Sequence, residues 1–265
     1  GVRDDPVSVN ILHGFDLAED SIRLSTNTQG QFTDGANNGR FKTFDGAAGI
    51  AEIIANSGTV NVEETETDLI IQTNLRGGTA NASGTDPMTI VLTDTSLEDV
   101  YSAATTQIFE ALIASGEITA ADVVPSAQDG VTTGEADGTI PNSDGDDLLI
   151  GASGAERFQF DSRHANNDEG AHVDAIIGFG AGDSLTFRID GGFFTGFEFK
   201  TINNNQAAVA FDDIDSLGAF LNGKGGENDA RFDAETNSTI LVLDDSPGNP
   251  GDELTIVLWD TGDLL

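Results

Sequence analysis

A chain of 265 residues is long enough for one large or two modest domains, and 11 Lys+Arg against 46 Asp+Glu leave a formal charge of −35 that argues against nucleic acid or anionic membrane as a partner. Of the acids 31 are Asp and 15 Glu, a bias toward the short carboxylate that suits turns and oxygen-rich cation sites; a solvated surface adapted to high salt is the other use of the same charge. With no cysteine there are neither disulfides nor thiolate metal sites, and no apolar run approaches a membrane span, so membrane insertion is not expected.

The first stretch, GVRDDPVSVN, has neither the basic nor the apolar region of a signal peptide, and a start at Gly1 without Met is expected of a fragment or a processed product. From residue 9 an extended apolar segment, VNILHGFDLAEDSIRL, turns at Gly14-Phe15 and continues as a strand. FKTFDGAAGIAEIIA at 41–55 reads as a strand leading into a short helix with Asp45 as its N-cap. The strands DLIIQT and MTIVLT come next, joined by a Gly/Asp/Pro-rich turn. At 96–123 the character changes to helix, with Ile108, Phe109, Leu112 and Ile113 forming an apolar stripe closed by Gly116.

After residue 165 the same succession returns. VDAIIGFGAGDSLTFRI at 173–189 resembles 9–24, with Gly178-Phe179 opposite Gly14-Phe15; AVAFDDIDSLGAFLN at 208–222, with Asp212 as its cap, resembles 41–55; and LTIVLWDT at 254–261 matches MTIVLTDT at 88–95. The offsets are 164, 167 and 166 residues, and three blocks in one order at nearly constant spacing mean a duplication. The expected fold is therefore mainly β, with two copies of a β-rich module and a helical connector. The first module covers 1–95, the connector 96–123, and the rest, 124–265, holds a short parallel β-roll at about 124–160 before the second module.

The roll is read from NSDGDDLLIGASGAERFQF at 142–160, which repeats at nine residues: Gly145 and Gly154, Asp147 and Glu156, Leu149 and Phe158. Counting back by nines reaches Ile140 and Val131 at the apolar position, Gly138 and Asp129 at the acid position, and Ala136 and Ala127 at the small position. Small residues let a backbone bend and approach a cation, the acid supplies charge, and the apolar residue faces a core, which is the pattern of a calcium-clamped coil.

These residues resemble the RTX, or haemolysin-type calcium-binding, family, whose nonapeptide is GGxGxDxUx with U a large apolar residue. NSDGDDLLI keeps the third small position, the acid and the apolar residue, and carries Asn142 and Ser143 where the family has paired glycines; GASGAERFQF keeps Gly151 and Gly154 and has Glu156 for the usual Asp. FQFD and then VDAIIGFGAGDSL are similar to the segment after the last turn in many type I secreted proteins. The resemblance implies calcium ligation by the carboxylate of Asp147 and by Glu156, with loop carbonyls around Gly145 and Gly154 completing the shell. Asp144 and Asp146 join the candidate set on chemistry alone, because a hard cation takes six to eight oxygen ligands; an acidic turn is the alternative for DGDD. DLAED at 16–20 and DDSPGNPGDE at 244–253 read first as polar loops, with further ion sites as the alternative. The ending WDTGDLL is similar to the acid-plus-apolar end of type I secretion substrates, and equally to a repeat of the strand end at 93–100.

No catalytic set stands out, and the chain is not expected to be an enzyme. GDSL at 182–185 matches a serine hydrolase signature, but the equivalent place in the first copy reads EDSI and the last histidine, His172, precedes the serine. HExxH, G-x-S-x-G, P-loop and dinucleotide fingerprints are missing, and His13, His164 and His172 are expected at the surface. The sequence thus points to an extracellular or cell-surface structural or adhesive protein, exported by type I secretion, stabilised by calcium and able to self-associate into sheets or fibres. The alternative is the non-catalytic secretion and folding module of a larger RTX exoenzyme.

Overall fold

The computed structural model describes residues 8–25, 41–56, 61–73, 88–119, 130–133, 138–142, 145–152, 155–161, 172–180, 182–189, 207–211, 214–224, 228–244 and 253–265. The chain is mainly β and divides into two compact units, Gly1–Gln107 and Ile108–Leu265.

In the first unit, β1 (Ser8–Leu12), β6 (Met88–Thr93), β5 (Asp68–Thr73) and β4 (Asn61–Glu64) form one sheet in that order. β1 lies parallel to β6, and the other neighbours are antiparallel. Side chains alternate between faces along a strand, and DLIIQT and MTIVLT obey this: Leu69, Ile71, Ile90 and Leu92 are buried while Ile70 and Val91 are half-buried. A second ladder pairs β2 (Ser21–Ser25) with β3 (Phe41–Asp45) and runs straight into α1 (Gly46–Asn56), which buries Ile50 and Ile53. α1 packs so closely that a Cβ on Gly49 would lie 2.3 Å from the carbonyl carbon of Phe44.

Asp45 does not cap this helix. It is the last residue of β3, paired with Ser21, and the first-turn amides go elsewhere: Ala48 N donates to Gln107 Oε1 (3.1 Å), Ala47 N to Leu17 O (2.8 Å) and Gly46 N to Asp20 O (2.8 Å). Asp212, its counterpart in the repeat, lies outside the described residues.

The expected connector helix is α2 (Leu97–Ser115), which runs across the boundary between the units. Ile108, Phe109 and Leu112 are buried, but Ile113 is 37% exposed. The stripe centres on Ile108 and Leu112, one turn apart, and the next residue points about 100° away. Gly116 closes the helix with φ of 82°, donating to Ile113 O.

In the second unit six strands alternate between two sheets. β7 (Gly130–Thr133), β9 (Asp147–Ile150) and β11 (His172–Ile177) are parallel neighbours in one, and β8 (Thr139–Pro141), β10 (Arg157–Asp161) and β12 (Ser184–Ile189) in the other. The first sheet continues from β11 through β16 (Glu253–Trp259), β15 (Ser238–Asp244) and β14 (Asp229–Asp233), and the second ends at β13 (Ala207–Phe211), which leads toward α3 (Ile214–Lys224). Three of the nine-residue apolar positions are rungs of the core: Ile140 lies beside Phe158, Phe158 beside Leu185, and Leu149 beside Ile176, all fully buried in one cluster with Leu217 and Leu221 of α3; Val131 is one residue out of step, because β7 sets it opposite Leu148 and sets Thr132 opposite Leu149. Alternation between sheets thus continues past residue 160, through β11 and β12.

Both units share one pairing scheme. β1 is parallel to β6, and β6, β5 and β4 continue antiparallel; likewise β11 is parallel to β16, and β16, β15 and β14 continue antiparallel. β2 pairs with β3 ahead of α1 as β12 pairs with β13 ahead of α3. Even the strand ends agree: Gly14 and Gly178 have φ of 64° and 83°, and Asp94 and Asp260 have φ of 57° and 52°. The likeness of WDT at 259–261 to TDT at 93–95 therefore extends to backbone conformation.

Candidate metal centre at the start of the parallel strands

Gly145 takes φ of 97°, a conformation open to few residues besides glycine, and turns the chain so that Asp146 and Asp147 stand where β9 begins beside β11. Asp146 is 3% exposed and Asp147 and Asp174 are fully buried; Asn142 and His172 are buried with them. The carboxylates reach across the strand pair. Asp147 N donates to Asp174 Oδ1 (3.0 Å), Asn142 Nδ2 to Asp174 Oδ2 (3.3 Å), and Val173 N to Asp146 Oδ1 (2.8 Å).

Burial holds the Asp174 carboxyl well above the usual carboxylate range, and the neighbouring charge of Asp147 adds to this. The amide of Asp147 and the side chain of Asn142 pull the other way, and Asp146 raises it again. Three acids in one buried place cannot all ionise without a positive charge among them.

A second group stands where β10 runs beside β12. Glu156, 1% exposed, and Asp183, 3% exposed, begin the two strands; Glu156 N donates to Asp183 Oδ1 (2.8 Å), Gly180 N to Asp183 Oδ2 (2.8 Å) and Ser184 N to Glu156 O (2.9 Å). Both Asp183 oxygens are engaged by backbone amides.

Of the six sequence candidates, Gly145, Asp146 and Asp147 come together at the first group and Glu156 belongs to the second, while Asp144 and Gly154 lie outside the described residues. Asp174 and Asp183 were not among the candidates. Each stands two residues before an apolar rung, Ile176 or Leu185, as Asp147 and Glu156 stand before Leu149 and Phe158. The signal was available: counting by nines from Glu156 meets Ala165 and then Asp174 and Asp183.

The side chains gathered at the first group, carboxylates and the Asn142 amide, carry the oxygen atoms that a hard cation takes as ligands. The arrangement seen is the amide-bonded one: among the described residues no group of three or more His, Cys, Asp or Glu gathers as a metal centre does.

Elsewhere the acids of DLAED are spent on their own turn, Ala18 N donating to Asp16 Oδ1 (2.9 Å) and Asp16 N to Asp20 Oδ2 (2.9 Å). Most of DDSPGNPGDE, and His164, fall outside the described residues. His13 is exposed as expected, but His172 is 7% exposed, because its strand is an inner one covered on both faces. A scan against protein-family models, a search of curated proteins and a search of solved structures each found no match.

Proposed function

We propose that this chain is a calcium-stabilised structural protein of the RTX type that works outside the cell, its parallel strands forming a β-roll joined to the second of two copies of one β module. The observation that carries the reading is Asp174, fully buried with Asp146 and Asp147 pressing on its charge. Placing three acids there costs stability unless a cation offsets them. Calcium, when bound, supplies that charge and an affinity for six to eight oxygens. Asp146 and Asp147 would hold it from the turn before β9, and Asp174 from β11, so that turn and strand are tied together. The −35 formal charge has the same consequence on a larger scale, since self-repulsion opposes the compact state until cations are bound or screen it. The nonapeptide period and the repeated strand order support a scaffold role, in which the modules present surfaces and edges.

Thermal unfolding in EDTA and in millimolar calcium, at equal ionic strength, tests this. A hundredfold excess over Kd stabilises by about 2.7 kcal/mol, or roughly 5 to 10 °C for a protein of this size. Asp174→Asn should abolish the calcium response while leaving the protein in EDTA at least as stable as the parent, since it removes a carboxyl that burial and the charge of Asp147 make costly to ionise. Asp68→Asn, at the start of β5, should keep the response. A melting temperature indifferent to calcium sinks the reading, and so does an Asp174→Asn loss of stability that is equal in EDTA and in calcium.

A further inference from the structure

The repeated pairing scheme exposes a difference between the two units. In the second, the coil covers both leading strands: β9 lies along the edge of β11 that faces away from β16, and β10 along the edge of β12 that faces away from β13. In the first, β1 and β2 take those places, and among the described residues each ends its sheet. Val173 and Ala175 are each 1% exposed beside the coil, whereas their counterparts Val9 and Ile11 are 56% and 55% exposed, the two most exposed large apolar side chains among the described residues.

Apolar residues on an open edge are a template for pairing, and proteins that keep such an edge to themselves protect it with Lys, Pro or a bulge. SVNIL has none of these, carries no charge, and lies in regular register on β6. The missing charge matters, because −35 on each copy opposes the approach of two molecules except where acids are absent. The other strands that end a sheet suit β1 less well. β4 carries Glu63 and Glu64, β14 Asp229 and Asp233, β3 Lys42 and Asp45, and β2 Arg23. β8 has Pro141, β7 holds one large apolar residue, Val131, and β13 has three alanines in five residues. Asn10 supplies a reason for β1 to meet its own copy. It is exposed and stands where β11 has Asp174. A carboxylate set against its own copy would repel, whereas an amide carries both a donor and an acceptor and so complements itself.

We propose that β1 pairs antiparallel with β1 of a second copy about a two-fold axis at Asn10, with Val9 of each copy opposite Ile11 of the other. Two copies joined at the same edge of one continuous sheet are related by a two-fold across it, which runs the strands antiparallel and keeps each face as it is. Opposed residues share a face and chain neighbours do not, so the only registers are those in which some residue opposes its own copy. Of these, the one centred on Asn10 pairs all five residues of SVNIL. The four-stranded sheet of one copy then continues into that of the other. Five residues a side fall well short of the roughly 20–30 of a stable interface, so the dimer forms at high protein concentration. This deepens the structural reading above and rests on its repeated module, but not on its calcium.

The cysteine-free sequence makes the register testable by cross-linking. Opposed residues of an antiparallel pair have Cα atoms about 4.5 to 5.5 Å apart, within the span of a disulfide, whereas in this register residue 9 lies about 8 Å from its own copy, out of reach. Asn10→Cys, oxidised at high protein concentration in sodium chloride to screen the acids, should give 10-to-10 dimers. A mixture of Val9→Cys and Ile11→Cys chains should give 9-to-11 links well above 9-to-9 or 11-to-11 by peptide mass spectrometry. In cysteine-free protein, Asn10→Asp and Ile11→Lys should each weaken the dimer by about tenfold or more in light scattering, with the calcium-dependent melting shift unchanged. The proposal is overturned by the absence of a 10-to-10 link in folded protein, or by 9-to-9 and 11-to-11 links at a yield equal to 9-to-11. An association that Ile11→Lys leaves unchanged overturns it in favour of another edge. Loss of the calcium shift with the 10-to-10 link intact would overturn the calcium reading alone.

Discussion

Tyr101 in α2 is the chain's one tyrosine, so its ionisation can be followed by absorbance without interference from another phenol. Burial, and then the negative charge of Glu64, pushes its phenol up to about 12. The unfolded chain ionises first, near the ordinary value of about 10, and the folded state holds its proton longer. Stability from this group is therefore complete below pH 10 and is lost as pH rises through about 12, by roughly 2 to 3 kcal/mol. A spectrophotometric titration should show no phenolate midpoint near 10 while circular dichroism remains native; a midpoint there would mean that Tyr101 is solvated. At the other end of the same turn Ser96 and Asp99 form a capping box, Asp99 N donating to Ser96 Oγ (3.0 Å) and Ser96 N to Asp99 Oδ2 (2.9 Å), which holds the Asp99 carboxyl below its usual range. The next amide is met from farther away, Leu97 N donating to Glu64 Oε1 (2.6 Å).

At the scale of elements, the coil is held by its rungs. Phe158 lies between Ile140 and Leu185 and contributes to the core from an inner strand, so Phe158→Ala should cost about 3 to 5 kcal/mol. Phe232 on the edge strand β14 is 36% exposed, and the same truncation there should cost far less. Denaturant midpoints of the two variants, at unchanged slope, decide it. The rungs Ile140, Leu149 and Phe158 could be read from sequence because a period of nine places each in the same environment. The same count reaches Ile176 and Leu185, but it first meets Asn167, and the stretch VDAIIGFGAGDSL that holds them also matches 9–22, which draws the reading away from the nine-residue period. In the structure these residues do two things: β11 and β12 continue the alternation between the two sheets, and they take the places in the pairing scheme that β1 and β2 take in the first unit, so Asp174 and Asp183 were passed over. The repeated strand order was legible because paired strands impose the same apolar pattern on both copies. Asp45 misled because a carboxylate ahead of a helix looks like a cap whether or not a strand ladder has already fixed it, and Gln107, which does meet the helix amides, lies 62 residues from Asp45.

For the whole molecule, the charge and the candidate site make different demands. Sodium chloride screens exposed acids in both units, whereas a cation held by Asp146, Asp147 and Asp174 stabilises only the unit that contains them, Ile108–Leu265. Chains with two cores need not unfold in one step, and each unit here buries its own apolar strands, Leu69, Ile71, Ile90 and Leu92 in the first and the rung cluster in the second. Calorimetry should therefore resolve two transitions. Ile71→Ala should lower one and Phe158→Ala the other, which assigns them; calcium at constant ionic strength should raise only the one that Phe158→Ala lowers, while added sodium chloride raises both. α2 is the reason this outcome is not trivial, because a single helix crosses the boundary and its unfolding from one end costs the other its continuity. A single transition that moves as one with calcium would show that the helix makes the two units a single cooperative body, and would place the effect of calcium on the whole chain.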